Sequence, residues 1–318
     1  MREQLESLNS ISINFGTAGM ALVNIILAVV MFGVALGIRI STFREVFLKP
    51  KSIITGVLLQ WVGLPAVTFL LVLALGRWIT PMVALGMILV ASCPGGNISN
   101  FISSLSKGNV ELSVSMTACT TMFAPIVTPF NFYFWGTLYY RVISMSGEIP
   151  VLVIPFGPML WQILLLLGIP IVAGMLFTHR FPALSERIRK PFSVLSVILF
   201  AAMVLIAFSR NFSLFTDNIV YVFIIVLIHN SAALATGWTG ARAAGLPVRD
   251  RRAITIEVGI QNSGLGLTLL FNPAIFPPDI WHGHYGGMLF VTAWWGIWHI
   301  VSGLTVAGIF RRTPVHER

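Results

Sequence analysis

The stretch Glu257-Val258-Gly259-Ile260-Gln261-Asn262-Ser263-Gly264 lies inside an apolar run from about 253 to 276. A carboxylate, two amides, a hydroxyl and two glycines share these eight consecutive positions. Hydrocarbon cannot satisfy such groups, so in a membrane they must line a cavity, a ligand or the protein interior. The glycines loosen the helix and let other backbone come close. The expectation is a helix broken in mid-span at an ion site, with the rest of the chain built to hold it.

The chain around this stretch is that of a membrane protein. It has 318 residues, 56% hydrophobic and 10% charged, whereas a soluble domain carries about 25% charged residues. The fold class expected is all-α and polytopic. A net charge of +9 would suggest a nucleic-acid partner in a soluble protein. Here it reads as basic cytoplasmic loops, with membrane lipid as the surroundings and no nucleic acid. Cys93 and Cys119 both fall in apolar segments and suggest neither a disulfide framework nor a zinc site. Residues 1–14 are polar and lack the basic start of a cleavable signal peptide, so none is expected.

A span needs about 20 mostly apolar residues. That rule gives nine: 19–40, 52–75, 81–105, 110–138, 157–178, 192–210, 218–240, 253–276 and 287–310. One set of loops then holds Arg39, Arg44, Lys49, Lys51, Lys107, Arg180, Arg187, Arg189, Lys190, Arg242, Arg249, Arg251, Arg252, Arg311, Arg312 and Arg318. The other holds Arg2, Arg77, Arg141 and Arg210. The asymmetry puts the N-terminus outside and the C-terminus in the cytoplasm. Trp78, Trp135, Trp161 and Trp281 fall near outer span ends, where interfacial anchors belong. Pro65, Pro125, Pro129 and Pro170 lie within spans and are expected to kink them. The basic segment 182–191 reads as a cytoplasmic surface linker.

The third span is interrupted like the eighth. It contains Cys93-Pro94-Gly95-Gly96-Asn97-Ile98-Ser99-Asn100, where proline removes a backbone donor and two glycines follow. The nine spans divide accordingly: an extracytoplasmic segment 1–18, a first four-span set 19–138, a connecting span 157–178, a second set 192–310 and a cytoplasmic tail 311–318. The odd connecting span forces the two sets into inverted orientation. The broken helix is third in each. Paired interrupted helices in corresponding positions of two halves point to a secondary transporter's binding site.

Glu257 is the one acidic residue well inside a predicted span. It could snorkel towards Arg252, but the residues three and four earlier are Ile254 and Ala253, so no basic partner shares its helix face. A bound cation would keep it ionised. Sodium is a hard cation that takes oxygen ligands, and both breaks supply them: Glu257, Gln261, Asn262 and Ser263 in one, Asn97, Ser99 and Asn100 in the other. Ser113 and Thr117 share one face of the fourth span, although intramembrane hydroxyls commonly bond back to their own helix. Gln60 is an amide among apolar residues and needs a partner. His229-Asn230 and His299 read as helix–helix hydrogen bonds. The Met and Phe residues read as packing or lipid contact.

Taken together, Cys93-Pro94-Gly95-Gly96-Asn97-Ile98-Ser99-Asn100, Lys107-Gly108-Asn109, Leu112-Ser113, Met116-Thr117 and Glu257-Val258-Gly259-Ile260-Gln261-Asn262 resemble the bile acid:sodium symporter family over nearly the whole chain. The nine-span, N-out plan is similar to its animal sodium/bile-acid cotransporters. The extra first helix of many bacterial relatives is not expected here. The resemblance implies a core of spans 2, 3, 4, 7, 8 and 9 with the broken helices crossing, and a panel of spans 1, 5 and 6. It implies two Na+ ions. The first would be held by Ser99, Asn100, Ser113, Thr117 and Glu257. The second would be held by Gln60, Glu257, Gln261 and the carbonyls of Val258 and Ile260.

The resemblance further implies a small organic anion as substrate and no enzymatic activity, with no obligate protein partner evident. Half-helix N-termini favour negative charge, and Asn97, Asn262 and His299 are the candidate contacts. Trp298-His299 is followed by Ile300 where a bacterial relative's pattern has Asn, which leaves the preferred anion open. The expected location is the bacterial inner membrane, and the expected activity is sodium-coupled symport by alternating access. Two alternatives stand beside it: a carrier of the same architecture coupled to protons or of arsenite type, using Cys93, and an intramembrane serine hydrolase using Ser263 and His299.

Overall fold

A computed structural model describes residues 1–10, 17–38, 50–144, 156–209, 212–272, 275–276 and 285–313. The described residues build helices α1 (Arg2–Glu6), α2 (Thr17–Ala35), α3 (Pro50–Ala74), α4 (Pro81–Ser92), α5 (Ile98–Leu105), α6 (Val110–Ser144), α7 (156–180), α8 (Pro182–Ser209), α9 (Phe212–Ala243), α10 (Val248–Gly259), α11 (Ser263–Leu270) and α12 (Gly286–Arg312). Among the described residues, five stretches are long and apolar enough to cross a membrane: Pro50–Ala74, Val110–Ser144, Leu160–Arg180, Thr216–Ala243 and Gly286–Arg312. Asn24–Ala35 and Pro81–Ser92 are shorter apolar helices.

The two interruptions are real breaks. Helix α4 stops at Ser92 because Pro94 cannot donate and Cys93 is already extended (φ −74°, ψ 156°). The chain restarts as α5 at Ile98. Helix α10 stops at Gly259, Ile260 is extended (φ −117°, ψ 97°), and α11 starts at Ser263. The breaks lie against each other and pair like two short strands, Gly95 opposite Gln261. Gly96 N donates to the Ile260 carbonyl at 2.8 Å, and Asn262 N donates to the Pro94 carbonyl at 2.8 Å. Each break thus satisfies backbone groups that the other's missing turn leaves open.

Around the crossing, α4 packs on α6 and α12, α9 packs on α10 and α12, and α11 packs on α12. Helices α2, α7 and α8 pack on one another. At the end of the molecule where α3, α6 and α10 begin, Asp250 ties the three starts together. Its carboxylate accepts from Ser52 Oγ at 2.6 Å and Asn109 Nδ2 at 2.8 Å, and Asn109 N donates to the Arg249 carbonyl. The segment before α2 also packs on the bundle: Leu5 and Leu8 are buried, and Asn218 Nδ2 donates to Ser7 Oγ.

Three expectations change on contact with the structure. The helix of the expected eighth span starts before 253, because α10 begins at Val248 and carries Asp250 and Arg252 inside the bundle, 6% and 1% exposed. Arg252 is not a loop charge. It donates to the Ser106 and Thr313 carbonyls, the C-caps of α5 and α12, and lies 5.5 Å from the Phe310 ring. Two helix C-termini supply the negative potential that a carboxylate would otherwise supply. The segment 182–191 is the start of α8 rather than a linker, with Pro191 inside the helix. Pro182 at the first helical position needs no N–H there. Pro65 and Pro170 each follow a π turn, Leu59–Gly63 and Leu164–Gly168. Arg39, Arg44, Lys49, Arg210, Arg318 and Trp281 lie outside the described residues.

Candidate functional site

Glu257 is in the last turn of α10 and is fully buried. Its Oε2 accepts from Ser99 Oγ at 2.5 Å and Ser113 Oγ at 2.9 Å, and its Oε1 accepts from Thr117 Oγ1 at 2.5 Å. Ser99 comes from α5, just past the first break. Ser113 and Thr117 come from α6, one turn apart. Among the described residues no cation pairs with this carboxylate, and Arg252 points to other partners. Gly95 makes the approach possible: a Cβ there would run into the Glu257 carboxylate.

The cluster holds more acceptors than protons. Thr117 Oγ1 has one hydrogen but lies within bonding reach of Glu257 Oε1, Asn100 Oδ1 at 3.2 Å and its own helix's Ser113 carbonyl at 3.0 Å. Ser99 Oγ is 3.5 Å from the same hydroxyl. An anion plus surplus oxygen lone pairs, buried together, is an arrangement that a hard cation completes. No group of three or more His, Cys, Asp or Glu suited to a transition metal occurs among the described residues.

A second polar group lies beside it. Gln60, 1% exposed in the π turn of α3, donates from Nε2 to Gln261 Oε1 at 2.6 Å and to the Cys93 carbonyl at 3.3 Å. Gln261 donates from Nε2 to the Val258 carbonyl at 2.7 Å. The structure therefore brings together Ser99, Asn100, Ser113, Thr117 and Glu257 as one cluster. Gln60, Gln261 and Val258 form another, with Ile260 pairing to Gly96 beside it.

The three substrate candidates fall differently. Asn97 is exposed and precedes α5 without capping it. Asn262 is committed to its own helix, its Oδ1 accepting from Leu265 N at 3.0 Å. His299 is 6% exposed, and its Nδ1 has no partner among the described residues. It shares a face of α12 with Gly303, where a Cβ would press on Ile260 and Ile102. Cys93 is 2% exposed.

Two residues beyond the sequence candidates matter. Asn230 Nδ2 donates to the Gly259 carbonyl at 2.7 Å and so caps the broken end of α10. The isolated amide in an apolar span was the available signal, as it was for Gln60. The neighbouring His229 bonds Thr68 Oγ1 at 2.8 Å and its ring lies tilted against Trp295, centroids 4.7 Å apart, the helix–helix role expected of it. Asn131, on α6, donates to the Trp61 carbonyl at 2.8 Å.

A broken-helix crossing with buried oxygens, held in an apolar helical bundle, points to the class of membrane transporters. Residues 24–218 match the profile of the sodium bile acid symporter family. The chain is 33% identical over 279 residues to the uncharacterized sodium-dependent transporter YocS of Bacillus subtilis (strain 168), covering 86% of this chain and 82% of that one. It is 32% identical over 248 residues to the ileal sodium/bile acid cotransporter of Homo sapiens, covering 77% and 68%. It is 30% identical over 290 residues to BASS1 of Arabidopsis thaliana chloroplasts, named for sodium/metabolite cotransport, covering 90% and 66%. This chain belongs to the sodium bile acid symporter family. Members of that family are sodium-coupled transporters, not enzymes, which removes the serine hydrolase reading of Ser263 and His299.

Proposed function

We propose that the protein is a symporter of organic anions driven by two sodium ions, and that it works by alternating access. One observation carries the reading: the Glu257 carboxylate is fully buried where two broken helices cross, and receives three hydroxyls from two other helices. The first ion takes Ser99, Asn100, Ser113, Thr117 and Glu257. The second takes Gln60, Gln261 and the carbonyls of Val258 and Ile260, with Glu257 bridging to the first. One acid serves two cations because amide, hydroxyl and carbonyl oxygens supply the remaining ligands.

Nine spans accommodate these helices, with α4–α5 as the third and α10–α11 as the eighth. The two sets are inverted repeats, and the N-terminus is outside the bacterial inner membrane. The core is α3 to α6 with α9 to α12. The panel is α2, α7 and α8, whose mutual packing supports their moving as one body. Sodium fixes the crossing, the anion then binds between core and panel, and the two rock against each other. The anion, a bile-acid-like molecule or smaller carboxylate, faces the N-terminus of α5. Asn97 is the freest of the candidate contacts, and His299 and the backbone near Asn262 complete the set.

Purified protein in proteoliposomes tests the coupling. Uptake of a transported anion should require Na+ and stop when K+ or choline replaces it. Uptake indifferent to that replacement rejects the proposal.

A further inference from the structure

Gln60 reaches the crossing because α3 is not a regular helix there. In a regular α-helix the N–H of residue 65 would donate to the Trp61 carbonyl, but residue 65 is proline. One residue earlier, the Leu64 N–H reaches back to the Leu59 carbonyl, five positions away, which closes the π turn Leu59–Gly63. Such a turn inserts one extra residue and rotates the helix before it by roughly 100° relative to the helix after it. The Trp61 carbonyl that the proline leaves open is taken by Asn131 Nδ2, from α6, at 2.8 Å. Asn131 is 6% exposed.

The amide chain runs in one direction. Gln261 turns Nε2 to the Val258 carbonyl and Oε1 to Gln60. Gln60 must then present Nε2 to Gln261. Its Oε1 is left buried without a partner among the described residues. The π turn therefore sets where an unpaired, buried oxygen sits beside the crossing.

We infer that Asn131 is a positioning residue for the second sodium site: by holding the Trp61 carbonyl it keeps open the π turn that aims Gln60 at the crossing. The inference rests on the sodium coupling proposed above. It assigns a role in ion affinity to a residue on α6 that bonds the backbone of α3 rather than an ion.

The test is thermal melting of the full-length protein in detergent, titrated with NaCl against choline chloride. Asn131→Leu keeps the branching and the number of heavy atoms and removes the donor. Phe132→Leu, at the next position, trims a buried ring that packs edge-on against Phe276 at 5.8 Å, and serves as a purely structural control. The expected result is at least a threefold rise in the sodium concentration for half-maximal stabilisation in Asn131→Leu, and none in Phe132→Leu. A shift below threefold in Asn131→Leu, or an equal shift in both, overturns the inference. If Asn131→Leu does not fold, Asn131→Ala, which also removes the donor and leaves Pro65 in place, is measured against the same threshold. A wild-type protein that sodium does not stabilise contradicts the sodium reading itself, a different outcome from either of these.

Discussion

Glu257 concentrates the chemistry at the scale of single residues. Burying a carboxylate is costly unless it is paired or coordinated, and among the described residues its hydrogen-bond donors are three hydroxyls. Glu257→Ala should abolish sodium-dependent uptake, and Glu257→Gln should cripple it, measured as initial rates in proteoliposomes. Either variant keeping wild-type sodium dependence contradicts the site. Thr117→Val removes one oxygen and keeps the shape. A hydrogen bond to a charged group contributes about 1.5–3 kcal/mol, so half-saturating sodium should rise by roughly tenfold or more. The acid and the Gln60 amide were legible in the sequence because polar atoms in an apolar span need partners. Arg252 was not: a basic residue beside a basic loop reads as solvated, and only the folded chain delivers the Ser106 and Thr313 carbonyls to it. Asn131 carried the same signal as Gln60, an amide in an apolar span, but its partner was hidden, being a carbonyl freed by a proline on another helix.

At the scale of elements, the two breaks use their asparagines differently. Asn262 caps α11, whereas Asn97 makes no capping bond to α5. Losing a helix N-cap costs about 1 kcal/mol. Asn262→Ala should therefore lower the melting temperature by a few degrees. Asn97→Ala should leave melting unchanged and raise KM for the anion. Thermal melting and uptake kinetics on the two variants check this, and a swap of the two phenotypes would contradict the assignment. Proline and glycine announced the first break, and it falls where Pro94, Gly95 and Gly96 stand. The second was legible only to within a few residues. Its glycines, Gly259 and Gly264, sit in helix, and the residues outside helix are Ile260 to Asn262. Pairing with the first break, not local propensity, decides that boundary. The π turns were not legible, because Pro65 and Pro170 mark a kink without specifying its kind.

At the scale of the molecule, sodium is expected to couple two bodies, the helices around the crossing and the trio α2, α7 and α8. The all-helical, apolar character and the family were legible from composition and motif. The packing of the trio was not, because its members are far apart in the chain. Two sodium ions with a monovalent anion carry one net positive charge inward. A membrane potential contributes about 2.3 kcal/mol per charge per 100 mV, so an inside-negative potassium diffusion potential should accelerate uptake. Rates indifferent to that potential contradict the two-ion stoichiometry.

Equilibrium binding of radioactive sodium to the purified protein, wild type beside Glu257→Ala, asks the central question without requiring a known substrate. Saturable binding that potassium does not displace, and that disappears in Glu257→Ala, is the predicted result. Wild-type binding retained by Glu257→Ala would mean that the crossing of the broken helices is not where sodium is held.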